Sequence, residues 1–136
     1  MKSKFFPVLL IGLLLLTLGC NSDDGTNPNN INGTYDGIFT VQYKNGEAHS
    51  NPVTVNFASG KFSSSSGPGR FPAGGSGTFT VQKSVVLFSD ENFWTAEFDW
   101  GLILNGTYDY SIRGDELVLS RDSNDVGLYR YELRRN

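Results

Sequence analysis

One cysteine, one histidine and a net charge of −3 mark what this chain of 136 residues has little of. A single cysteine excludes an intrachain disulfide and any zinc site built on cysteine pairs. A single histidine, His49 beside a hairpin turn, excludes the H-E-x-x-H pattern and reads as a solvated strand residue. There is no Gly-x-Ser-x-Gly. The stretch Gly74-Gly-Ser76-Gly77 lacks that spacing, so no nucleophile with an activating base stands out. Clustered Lys or Arg is missing except for Arg130, Arg134 and Arg135, which read as a solvated last strand, and this argues against nucleic acid. Asp122-Ser-Asn-Asp125 has oxygen ligands but not a full calcium-loop pattern, and an Asx-type turn accounts for it. Glu97 and Asp99 share one strand face about 6–7 Å apart. That separation could serve glycoside hydrolysis, but period two puts the pair opposite the tryptophans, in solvent. The expectation is a non-enzymatic protein with no metal and no cofactor. Helical stripes of useful length are also absent, while Gly reaches 16 and aromatics 13%, which favours strands and tight turns.

What is present begins with Met1-Lys-Ser-Lys4 and a 14-residue apolar run, Phe5 to Leu18. A bilayer-spanning helix needs about 20 apolar residues, so this run reads as a cleavable export signal. The junction Leu16-Thr17-Leu18-Gly19-Cys20 resembles the lipobox of bacterial lipoproteins, with Gly19 and Cys20 matching and Thr17 and Leu18 departing from the usual residues. The resemblance implies cleavage before Cys20, acylation of its sulfur and a membrane anchor; ordinary cleavage with a free thiol is the alternative. Two or three acyl chains anchor stably, since each buried methylene contributes about 0.8 kcal/mol. Asn21 to Asn30 contains no apolar residue and reads as a polar tether that would reach roughly 15–20 Å as a coil. Ser22-Asp23-Asp24 is similar to the surface-export signal of lipoproteins in the Bacteroidota, which implies an outer-membrane lipoprotein on the cell surface; a merely soluble tether on a periplasmic protein is the other reading. Three units follow: residues 1–19 as signal, 20–30 as anchor and tether, 31–136 as one domain. The 117 residues from Cys20 onward carry nine basic against fourteen acidic side chains, a balance of −5. A domain of that size buries roughly two thirds of its unfolded surface.

From Ile31 onward apolar residues alternate. Tyr35, Phe39, Val41 and Tyr43 share one face, Lys44-Asn45-Gly46-Glu47 signals a hairpin, and Val53-Thr-Val55-Asn-Phe57 returns with Pro52 at its expected start. Ser63 to Gly77 has the composition of a long loop, with Arg70 and Phe71 as candidate contacts. Residues 78–83 and 85–89 form a hairpin. Trp94, Ala96, Phe98, Trp100, Leu102 and Leu104 fill six successive even positions and predict one long amphipathic strand, or two with a bend at Gly101. Strands over 108–112, 117–120 and 128–133 complete the count. Eight or nine short strands joined by hairpins predict an all-β, up-and-down antiparallel barrel of about eight strands.

Asn-Gly-Thr-Tyr-Asp occurs twice, at 32–36 and 105–109, and reads as a turn that starts a strand and sends its tyrosine inward. The Gly33-Thr-Tyr35 start resembles the Gly-x-Trp opening of lipocalins. With the meander and the late arginine in Tyr129-Arg130-Tyr131, residues 31–136 look like the small lipocalin-like lipoprotein domains of Bacteroidota. In lipocalins a late basic residue packs across the first-strand aromatic, and the resemblance points to Arg130 for that part. It also implies a small apolar or amphipathic ligand inside the barrel. Tyr35, Phe39, Trp94, Phe98, Trp100, Tyr108 and Tyr110 are the candidate lining residues, although the same rings could simply fill a core. A filled core would instead suit a structural or protein-interaction lipoprotein.

Overall fold

A computed structural model describes residues 30–136; the export segment, Cys20 and the tether as far as Asn29 lie outside the described residues. Eight strands follow one another around a closed barrel: β1 (Gly33–Tyr43), β2 (Ala48–Ala58), β3 (Lys61–Ser64), β4 (Gly75–Gln82), β5 (Val85–Asp90), β6 (Gly106–Arg113), β7 (Glu116–Ser123) and β8 (Gly127–Arg135). Every neighbouring pair is antiparallel, and β8 returns to β1 with Gly37 opposite Leu133, which closes the sheet on itself. The up-and-down barrel expected from the period-two pattern is the fold the chain adopts. Alternation explains it: Tyr35, Phe39 and Val41 of β1 and Tyr129, Tyr131 and Leu133 of β8 are buried, while the residues between them face solvent or are only half-covered. The Asn45-Gly46 turn closes β1 onto β2 through a 2.7 Å bond from the Tyr43 amide to the Glu47 carbonyl.

Strand parity sorts the connections. The turns after β2, β4 and β6 gather with both described chain ends at one end of the barrel. The connections after β1, β3, β5 and β7 gather at the other end, called the mouth here. Two of the mouth connections are long, 65–74 and 91–105, and they close over it. Gly74 and Ile103 form a parallel bridge, flanked by Ala73 N–H to Leu102 O and Leu104 N–H to Gly74 O, each 2.9 Å. Ala73, Leu102, Ile103 and Leu104 are thereby buried as a plug.

Three sequence expectations are corrected. Pro52 lies inside β2 and does not start it. β3 is only four residues long and covers β2 from Val55 onward, so the ladder on that side of Pro52 has no strand needing its missing N–H. The Ser63–Gly77 segment is not one long loop: it gives the end of β3, a 3₁₀ turn at Pro68–Arg70 and the start of β4. The even-numbered run from Trp94 to Leu104 is not a strand. It is loop as far as a 3₁₀ turn at Trp100–Leu102, because local partners capture its polar groups. Trp94 Nε1–H donates to Asp90 Oδ2, Trp100 Nε1–H to the Ala96 carbonyl, and Gly101 N–H to Asp99 Oδ1.

The repeated pentapeptide builds the same device at both ends. Gly33 opens β1 and Gly106 opens β6, both at positive φ (137° and 85°). At each glycine an arginine passes close to where a Cβ would stand, and then lies over the tyrosine two residues on. Arg135 sits 5.2 Å from the Tyr35 ring centre and Arg121 5.0 Å from that of Tyr108. Each also donates to a backbone carbonyl upstream of the glycine, Arg135 to Asn30 O three residues before Gly33 and Arg121 to Asn105 O one residue before Gly106. The late cation set against the first-strand aromatic is Arg135, whose Nη2 donates to the Tyr35 hydroxyl at 2.6 Å, and not the expected Arg130. Arg130 points outward and pairs with Glu132.

Candidate functional site

The candidate residues fall into two groups. Tyr35, Phe39 and Tyr108 are completely buried inside the barrel, and their rings touch other rings: Phe39 with Tyr131 at 4.8 Å, Tyr108 with Tyr131 at 5.9 Å and with Phe88 at 5.7 Å, Tyr35 with Phe57 at 5.6 Å. They fill the core and pack against one another. Tyr110 is half-buried toward the closed-turn end, where its amide donates to the Ser84 carbonyl. The interior is not wholly satisfied: the Tyr108 and Tyr131 hydroxyls and Arg121 Nε are buried with no partner. Burial pushes the Tyr108 hydroxyl up to about 12, with the Arg121 charge pulling the other way, and raises that of Tyr131 well above its ordinary value. Grooves of roughly 370–450 Å³ run along the outside, over Gly37 and beside the β1–β2 turn.

Trp94, Phe98 and Trp100 stand together at the mouth, with Arg70 brought to them from the other long connection, while Phe71 of that connection turns to His49. The Trp94 and Phe98 ring centres are 5.7 Å apart and those of Phe98 and Trp100 6.5 Å. The Arg70 guanidinium lies 4.5 Å from the Phe98 ring centre. Phe71 stacks flat on His49 at 3.9 Å, so His49 is half-covered and not the solvated residue its sequence position suggested. Phe93 is 92% exposed and Trp100 58%. In the sequence Phe93 falls outside the even-numbered run and counts among the aromatics expected to supply a core; the structure leaves it outside.

Two carboxylates hold this loop. Asp90 accepts from Trp94 Nε1 at 2.6 Å and from Asn92 Nδ2 at 2.6 Å. Asp99 Oδ2 accepts from Tyr43 and Tyr129 hydroxyls at 2.9 and 2.7 Å, and Asp99 Oδ1 caps the 3₁₀ turn. Arg121 adds donations to the Gly101 and Asn105 carbonyls. Burial first, and the bond to Asp99 second, push the Tyr43 and Tyr129 hydroxyls far above the usual tyrosine range. Glu97 and Asp99, expected on one solvent-facing strand face, are separated in role: Glu97 is exposed and Asp99 is turned onto the tyrosines. Matched against protein-family models, curated proteins and solved structures, the chain finds no counterpart. The site is therefore read from its own geometry.

Asp99→Ala is expected to release the loop. Two half-buried hydroxyls and the Gly101 amide would lose their acceptor, a cost of about 2 kcal/mol. Hydrogen exchange should then quicken in 91–105 and stay unchanged in β1 and β8; equal protection in parent and variant would show that the plug alone holds the mouth.

Proposed function

We propose that the chain is a non-enzymatic, lipid-anchored envelope protein, attached through Cys20, that meets an amphipathic partner at the mouth of its barrel. One observation carries this reading: the interior rings pack against each other, whereas Phe93 and Trp100 are exposed on a loop whose indole N–H groups are already tied down. Exposing large rings costs solvation that folding alone does not require, so their placement supports a binding role. A polar tether to Cys20 would leave from the opposite end, because Asn30 sits beside Gly33 and the β2–β3 turn. The mouth then points away from the attachment. This geometry favours surface binding over a ligand enclosed by Tyr35, Phe39 and Tyr108.

The test is hydroxyl-radical footprinting of the full chain, compared between the membranes of the cells that make it and the purified protein in detergent. Phe93 and Trp100 should be protected in the membranes, and Cys20→Ala should shift the chain to the soluble fraction. Equal labelling of both rings in the two states would remove the mouth as the binding surface, and an unaltered membrane share for Cys20→Ala would remove the anchor.

A further inference from the structure

Deepening the reading above and resting on it, we infer that the partner at the mouth is a neutral carbohydrate chain stacked on the exposed rings of Phe93 and Trp100, beside the half-buried Trp94 and Phe98. Three observations select this class. The first is size. Aromatic side chains bury about 150–250 Å² each, so Phe93 and Trp100 at 92% and 58% exposure offer roughly 300 Å², with half-buried Trp94 and Phe98 adding less. A stable protein partner needs about 800 Å² from each side. A chain one sugar wide needs no more than a string of rings.

The second is the form of the surface. Trp94, Phe98 and Trp100 succeed one another at 5.7 and 6.5 Å, inclined at 63° and 49°, so the half-buried pair buttresses the exposed Trp100. Both indole N–H donors are spent inside the loop, on Asp90 and Ala96, so the two indoles are held in orientation. The negative face of an aromatic ring attracts the partly positive C–H hydrogens on one side of a pyranose. Exposed Glu91, Thr95 and Glu97, on the same loop as the rings, offer acceptors for the hydroxyls of a stacked sugar.

The third is charge. Glu91 and Glu97 oppose a polyanion and an anionic lipid surface. The guanidinium nearest the platform, Arg70, already lies over Phe98 at 4.5 Å. That occupies the ring face a cationic ligand would seek. Arg70 itself holds a positive φ of 66°, uncommon for a residue other than glycine, and that backbone turn belongs to the loop that carries its side chain over Phe98. A neutral polyol with apolar C–H faces meets all three conditions.

Affinity electrophoresis of the full lipidated chain in neutral detergent tests this, through gels carrying dextran, starch, a β-glucan, xylan or mannan, with polygalacturonate as the anionic comparison. At least one neutral polymer should retard the chain and polygalacturonate should not. Trp100→Ala should weaken retardation roughly tenfold in apparent Kd, while Ile38→Ala on the outer face of β1 should leave it unchanged. Thermal melts establish that both variants are folded. Absence of retardation in every neutral gel, equal retardation by polygalacturonate, or a folded Trp100→Ala that binds like the parent each overturns the inference. Protection of Phe93 and Trp100 in membranes together with absence of retardation would reject the sugar and retain the binding surface; loss of both rejects both.

Discussion

Gly37→Ala is expected to lower the melting temperature by roughly 8–20 °C. Gly37 lies in β1 between Val53 of β2 and Leu133 of β8, on the seam where the last strand returns to the first. A Cβ there would overlap the Glu132 carbonyl oxygen and stand 2.8 Å from Glu132 C and Leu133 Cα. All three are backbone atoms already committed to the ladder, so no side chain can swing aside. Relief requires β1 and β8 to separate, and separation opens two edges where the barrel closes. Overpacking typically costs 1–3 kcal/mol, and an overlap with backbone at the closing seam places this case at about 3 kcal/mol. The entropy that alanine removes from the unfolded chain returns at most about 1 kcal/mol, so the steric term decides the sign. A circular-dichroism melt measures the effect; a variant melting with the parent would mean that the seam can widen without loss.

Alkaline titration should unfold the barrel in one steep step. Tyr108 and Tyr131 are fully buried, and burial raises both hydroxyls, Tyr108 to about 12, against an ordinary value near 10. Tyr43, Tyr110 and Tyr129 shift in the same direction. Above pH 10 the unfolded chain releases these protons while the folded chain keeps them. The folded state binds more protons, so its stability is complete below pH 10 and falls as pH rises toward and through the folded values. Each fully buried tyrosine contributes a slope of about 1.4 kcal/mol per pH unit, and Tyr108 with Tyr131 give about 3. Against a typical stability of about 5–15 kcal/mol, this is enough to dominate within a few pH units. Tyrosinate absorbance and near-ultraviolet dichroism followed together should change in a single cooperative transition above pH 11. Gradual ionisation starting at pH 10 with dichroism intact would show that the hydroxyls are reached by water.

The reading of particular residues shows where sequence sufficed. Period two in β1, β6 and β8 identified Tyr35, Tyr108, Tyr129 and Tyr131 as inward, because a strand has only two faces and the aromatic one must be covered. Asn45-Gly46 announced its hairpin for an equally local reason. The arginine over Tyr35 was partly legible too: Arg135 has the parity of Tyr129, Tyr131 and Leu133, whereas Arg130 has the opposite parity and faces out. Parity was available in the sequence, and the proximity of residue 135 to residue 35 required the ring to close.

The loop from Glu91 to Asn105 marks the limit. Its even-numbered aromatics satisfy the strand pattern as well as any segment of the chain does. Alternation is a statement about two faces, and it becomes a strand only where a neighbour offers a ladder. Here the neighbour is a single bridge at Gly74, and Asp90 and Asp99 take the donors instead. The sequence by itself determined an all-β meander, its turns and its inward tyrosines, since these follow from chirality, pleat and turn chemistry acting over a few residues. Tertiary structure alone decided that Phe93 and Trp100 stand outside, because that depends on which distant groups, Tyr43, Tyr129 and Arg121 among them, hold the loop across the mouth.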